Sequence, residues 1–117
     1  MASENIKTTK QSTTSATLNS ANYSNGSCTI LRYGKLVILM FADLTVQSGV
    51  TPAHASNVFS GVPTRSGRQI FLIWSSNTTA STSFRLAVSG TSVITHYSTP
   101  IEGQQYYGMV AYLTSDD

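Results

Sequence analysis

Lys35-Leu36-Val37-Ile38-Leu39-Met40-Phe41-Ala42-Asp43-Leu44-Thr45-Val46 is the stretch whose reading decides the fold. Side chains of an extended chain point alternately to opposite faces. Read as one strand, the segment sets Leu36, Ile38, Met40, Ala42, Leu44 and Val46 on one face. Val37, Leu39 and Phe41 lie on the other, flanked there by Lys35, Asp43 and Thr45. A half-exposed sheet needs only one apolar face. This strand has two, so a second layer or another subunit has to cover Val37, Leu39 and Phe41. Those three residues are the expected contacts between subunits.

Working outward, Tyr33-Gly34 marks a reversal into a preceding strand over residues 28–33, and Asn25-Gly26 signals a turn before it. Residues 47–56 read as a loop containing Gly49, Pro52 and His54. Residues 58–62 are short and ambiguous, and residues 63–68 form another loop. Residues 69–75 are a strand apolar on both faces, and residues 77–81 turn the chain. Residues 84–89 and 92–97 make a hairpin around Gly90-Thr91 that pairs Val88 with Val93 and Phe84 with Tyr97, and sets Arg85 opposite His96. Pro100 and Gly103 break the chain before a last strand over residues 104–113. No window shows sustained helical periodicity. The expected architecture is all-β, an antiparallel β-sandwich of jelly-roll type over residues 15–117. Residues 1–14, polar and without period, are expected to be a flexible arm.

Composition narrows the function. Seven basic and five acidic residues give a net charge of +2, and the cations are scattered, where nucleic-acid binding needs a concentrated basic patch. Ser and Thr supply 34 of the 117 residues, which favours strands and turns over helices. Cys28 is the only cysteine, and neither His54 nor His96 stands at metal-ligand spacing from it, so no disulfide and no metal site is expected. The N-terminus lacks the apolar core of a signal peptide. The longest apolar run, residues 36–42, falls far short of the ~20 residues of a membrane helix, so no membrane insertion is expected.

Chemistry is sparse. Acid–base catalysis needs two placed carboxylates or a partnered histidine, and only Asp43 and Glu102 lie inside the expected fold. There is no Gly-X-Ser-X-Gly elbow and no glycine-rich phosphate loop. The reading is a non-enzyme without catalytic residues or cofactor. Binding is better represented, because Tyr97, Tyr106, Tyr107, Tyr112 and Trp74 cluster in the C-terminal half, and aromatic rings stack on the apolar faces of sugars. The expected ligand site gathers His54, Arg65 and Arg68 from two loops with Tyr97, Tyr106 and Tyr107. Asn57 comes from the same loops, and Glu102 and Gln104 would serve as hydrogen-bonding rims.

The order of elements resembles a known family. The features that carry it are Cys-Thr-Ile-Leu-Arg-Tyr-Gly-Lys-Leu-Val-Ile-Leu at residues 28–39, a short loop with Gly49 and Pro52, and the strand over residues 70–74. A hairpin over residues 84–97 and a closing tyrosine-containing strand over residues 106–112 complete it. Together they resemble the C-terminal tip or head domain of phage and prophage tail-fibre and baseplate proteins, over roughly three-quarters of the chain. The family's Leu-Pro-Gly-Tyr-Arg-Pro-like stretch is matched here only by Val62-Pro63-Thr64-Arg65. The resemblance implies a homotrimer around a threefold axis at the virion tail tip, joined to an upstream fibre or baseplate protein and attaching to host surface glycans. A purely structural or trimerisation domain of a virion assembly is the alternative.

Overall fold

The computed structural model describes residues 11–75 and 82–117. They hold seven strands and no helix: β1 (Gln11–Ser15), β2 (Thr17–Leu18), β3 (Tyr23–Tyr33), β4 (Leu36–Val46), β5 (Asn57–Ser75), β6 (Ser83–Thr95) and β7 (Tyr106–Leu113). The chain is all-β, as its composition predicts. The turn expected over residues 77–81 lies outside the described residues.

All pairings are antiparallel, and the sheet nearly closes into a barrel in the order β1-β3-β4-β7-β5-β2. The N-terminal stretch links the two ends. β1 pairs with β3, β2 pairs with β5, and between them Ala16 N–H donates to the Cys28 carbonyl at 2.9 Å. Residues 11–14, expected in the flexible arm, are therefore strand. All five β1 side chains are exposed, so backbone pairing holds the segment and its polar composition leaves no mark of it. Residues 1–10 lie outside the described residues.

β6 folds back on itself. His96 N–H donates to the Arg85 carbonyl at 3.2 Å, whereas eleven residues of extended chain would hold them about 35 Å apart. The reversal falls at Gly90, whose φ of 57° suits the first central position of a two-residue hairpin loop. Continuing that register sets Leu86 beside Thr95 and Val88 beside Val93, and all four are buried. β5 clasps this hairpin from outside. Its residues 57–60 pair with residues 92–94 and its residues 68–74 with residues 83–89. Residues 63–68, expected as a loop between strands, are a bulged part of β5, with register shifts on both sides of Arg65. The same holds for Asn25-Gly26, where β3 bulges against β4 rather than turning.

The core fills the barrel. Val37, Leu39 and Phe41 of β4 are 0%, 0% and 3% exposed, packed with Phe59, Ile73 and Leu86. Phe41 stacks on Phe71 at 5.4 Å and meets Phe59 at 5.7 Å. The expected subunit contacts at Val37, Leu39 and Phe41 are thus corrected: these side chains are spent inside their own chain. The opposite face of β4 points outward, with Leu36 40% and Met40 45% exposed. The alternation also breaks once. Asp43 adopts a φ of 56°, and pairing with β7 shifts register between Phe41 and Leu44. That bulge turns Leu44 and Val46 into the core alongside Phe41, although uninterrupted alternation groups them with Leu36.

Candidate functional site

With the β4 interior assigned, the outside of the barrel carries two chemically different surfaces. The first is apolar. Register sets Leu36 opposite Leu113, Ile38 opposite Ala111 and Met40 opposite Met109 across β4 and β7. Directly opposed residues share a face with their Cβ atoms about 5 Å apart. Leu31 faces Ile38 from β3, and Trp74 of β5 pairs with Tyr107 of β7. Ile70 and Leu72 continue along β5 on the side of Trp74. Leu36, Met40, Ile70, Leu72, Trp74, Met109 and Leu113 are all large, apolar and exposed. These residues are uncharged, and the face is bordered on the β6 side by Arg85, opposite Leu72, and by Arg68, two residues before Ile70 on β5. Each exposes on the order of 100 Å² and the seven together roughly 700 Å², against the ~800 Å² per partner of a standard protein interface and the few hundred Å² usual for an apolar patch on a monomer.

The second surface lies over the β6 hairpin. Tyr97 N–H donates to His54 Nδ1 at 3.0 Å, and the two rings stack at 3.5 Å with an interplanar angle of 11°. Ala55 and Tyr97 both adopt positive φ, 62° and 48°, and these turns aim the rings out of the barrel wall. Tyr97 is 71% exposed. His96 completes the cluster, 5.0 Å from the Tyr97 ring and 5.4 Å from His54. Desolvation, His54 and the charges of Arg68 and Arg85 hold the His96 imidazole below the usual histidine range.

The expected ligand residues divide accordingly. His54 and Tyr97 come together here, and Arg68 lies on the adjoining sheet face, opposite Ser89 of β6. Tyr106 does not join them: it is fully buried, accepts from the Ile101 N–H at 3.0 Å and meets the Thr82 hydroxyl at 3.2 Å. Direct ligand contact by Tyr106 is thus corrected to a core role. Tyr107, half-buried, donates to the Asp43 carboxylate at the β4 bulge. Arg65 donates from Nη1 to the Ser66 carbonyl, beside Thr64, whose carbonyl and N–H are taken by Ser115 and Asp116. The loop after β4 does meet the segment before β7, through Glu102. That carboxylate accepts from the Ser48 hydroxyl at 2.8 Å and the Gly49 N–H at 3.2 Å, which holds it below its ordinary range. Glu102 is a latch between loops. Asn57 and Gln104 each bury a side-chain oxygen without a partner.

The site expected from sequence does not include Arg85 and His96, although the hairpin register in the sequence already sets them opposite each other. Burial pushes the Cys28 thiol up to about 12, which keeps it protonated and unreactive. Among the described residues no three His, Cys, Asp or Glu groups are placed to hold a metal, and no helix is long and apolar enough to cross a membrane. A pocket of about 390 Å³ lined by Ser12, Arg32, Gly34, Lys35 and Asp117 lies at the other chain segments. Two of these lining residues, Lys35 and Asp117, form an ion pair at 3.2 Å. Comparison with protein-family models, with curated proteins and with solved structures returns no match for this chain.

Proposed function

We propose that the chain is a self-assembling β module, a homotrimer in which the outer apolar face of β4, β7 and β5 is covered by neighbouring copies. The observation that carries this is the uncharged, half-exposed row Leu36, Met40, Met109, Leu113 and Trp74. The row itself is uncharged, and the nearest cations, Arg85 opposite Leu72 and Arg68 beyond Ile70, stand at its β6 edge, so copies that meet along the row set no like charges against each other at its centre. The count of three, and a place at the tip of a phage tail fibre or baseplate, rest on the resemblance in element order alone. Sedimentation equilibrium tests the reading. The wild-type chain is expected to be trimeric at micromolar concentration, and Met40→Glu with Leu113→Glu is expected to be a monomer with an unchanged β-type circular dichroism spectrum. Trp74, the single tryptophan, reports the same event, its emission shifting to longer wavelength in the monomer. A wild-type monomer overturns the reading.

A second reading, attachment of the assembled tip to host surface glycans, is favoured by one observation: the Tyr97 ring, stacked on His54 and open to solvent. Tyr97→Ala is expected to abolish binding to whole cells or cell-wall polysaccharide while leaving assembly intact.

A further inference from the structure

The glycan reading stops at an aromatic platform; the side chains around that platform specify the kind of sugar. His54 covers one face of the Tyr97 ring and most of the side chain remains in solvent. Arg68 and Arg85 are exposed; the His96 N–H donates to the Arg85 carbonyl at 3.2 Å, which sets Arg85 beside His96, and Arg68 lies on the same face of the sheet, opposite Ser89. Neither arginine has a carboxylate partner among the described residues. The carboxylates there are engaged elsewhere: Asp43 with Tyr107, Glu102 with Ser48 and Gly49, Asp116 with Thr64, and Asp117 with Lys35. His96 Nδ1 is buried without a hydrogen-bond partner. The sheet face that carries His96, whose ring stands 5.0 Å from the open Tyr97 ring, therefore also presents two guanidinium groups without a carboxylate partner among the described residues. Guanidinium matches carboxylate and phosphate oxygens in geometry as well as in charge.

We propose that Tyr97, Arg68, Arg85 and His96 form a binding site for a saccharide bearing an anionic substituent, a carboxylate or a phosphate. The apolar face of the sugar ring stacks on Tyr97, and the substituent is held by the two arginines. The proposal rests on the glycan reading above but commits to more, because a neutral polysaccharide satisfies that reading and not this one.

The test is calorimetric titration of the full chain with glucose, glucuronate, glucose 6-phosphate and inorganic phosphate. Glucuronate or glucose 6-phosphate is expected to bind about tenfold or more tightly than glucose, the gain typical of charge-assisted hydrogen bonds. The two anionic sugars distinguish the carboxylate from the phosphate source. Inorganic phosphate is expected to bind more weakly than either. Arg68→Ala and Arg85→Ala should each erode the preference, and Tyr97→Ala should reduce the anionic sugars to the level of inorganic phosphate. All three side chains are exposed, so unchanged melting temperatures verify that the variants fold. Equal binding of glucose and its anionic analogues, no binding of any probe, a preference that survives both arginine substitutions, or phosphate binding as tight as the sugar phosphate each overturns the proposal. Cell attachment through a purely neutral polysaccharide overturns it while sparing the attachment reading. Probe binding without cell attachment does the reverse.

Discussion

The two faces of β4 have nearly the same composition and opposite fates. Val37, Leu39 and Phe41 are sealed inside the barrel, while Leu36 and Met40, one residue away along the strand, stand close to half exposed. Apolarity therefore did not choose the inside. Closure did: the face that meets Phe59 and Ile73 across the barrel is the core, and the face that meets Leu113 and Met109 side by side on the same sheet is left uncovered by the described residues. Inner contacts stabilise the single chain, and the outer face is the one that the proposed assembly would cover.

The largest expected effect separates the two faces directly. Phe41 touches Phe59 and Phe71, and Phe41→Ala should cost about 3–5 kcal/mol of chain stability through lost burial and the cavity left behind. Met40→Ala on the outer face should cost under about 1 kcal/mol in the monomeric background, where its surroundings are already solvent. Urea unfolding of both, in the Leu113→Glu background, checks the contrast. Equal losses would mean that the outer face is packed within the chain, which breaks the comparison.

A smaller effect probes the seam where inner and outer faces meet. Gly108 of β7 lies so close to β5 that an added Cβ would stand 2.6 Å from Ile73 Cγ2 and 3.1 Å from its Cα. Ile73 is fully buried and has no room to retreat. Gly108→Ala should destabilise by about 1–3 kcal/mol, the usual range for overpacking, although alanine is otherwise the milder residue in a strand. A neutral result in thermal melts would show that the β5–β7 seam opens readily.

These expectations also show what the sequence can and cannot carry. Period-2 alternation makes the strands legible, and the Gly90-Thr91 signal makes the hairpin legible, including Arg85 opposite His96. The side of β4 that becomes core is not legible, because it depends on which distant strands close over it. The Asp43 bulge is equally silent: a residue at φ 56° reverses the parity of everything after it, and nothing in Phe41-Ala42-Asp43-Leu44 announces that. The site divides in the same way. His54 and Tyr97 could be placed together by loop order, whereas Arg68 shares a sheet face with Arg85 only because β5 clasps the β6 hairpin. Tyr106 and Tyr107 look alike in sequence, yet strand alternation sends one to Thr82 in the core and the other to Asp43.

That last pair supplies a third, weaker contrast between inside and outside. Tyr106→Phe leaves the ring packed against Phe84 but removes the acceptor of the Ile101 N–H and the partner of the Thr82 hydroxyl. A loss of about 1–2 kcal/mol is expected from the hydrogen bonds alone. Tyr97→Phe, at the exposed platform, should leave the melting temperature unchanged. A silent Tyr106→Phe would show that solvent replaces those bonds at once, and so that this part of the interior is open.

The smallest effect concerns pH, and it distinguishes two carboxylates that hold the outside of the barrel together. The Thr64 backbone N–H, at 2.9 Å, and the Thr64 side chain lead the interactions that hold the Asp116 carboxyl below its ordinary range, with Arg32 and Thr114 adding to them. Glu102 is lowered by the Ser48 hydroxyl and the Gly49 N–H. A carboxylate whose folded pKa lies below its unfolded value contributes stability that is fully present above the unfolded value, near pH 4 for Asp and Glu, and is lost as pH falls through the folded one. Both latches should therefore be intact at neutral pH and weaken on acidification below about pH 4. The places they tie differ: Asp116 joins the C-terminal segment to β5, and Glu102 joins the loop after β4 to the segment before β7. Urea unfolding at pH 7 and pH 3 is expected to show that Asp116→Asn lowers stability at pH 7 and shrinks the acid loss. Glu102→Gln should mainly loosen the loop, seen as faster amide exchange at Gly49 with little change in global unfolding. If Asp116→Asn leaves the acid limb as steep as in the wild type, the Thr64 contact is not what holds that end of the barrel shut.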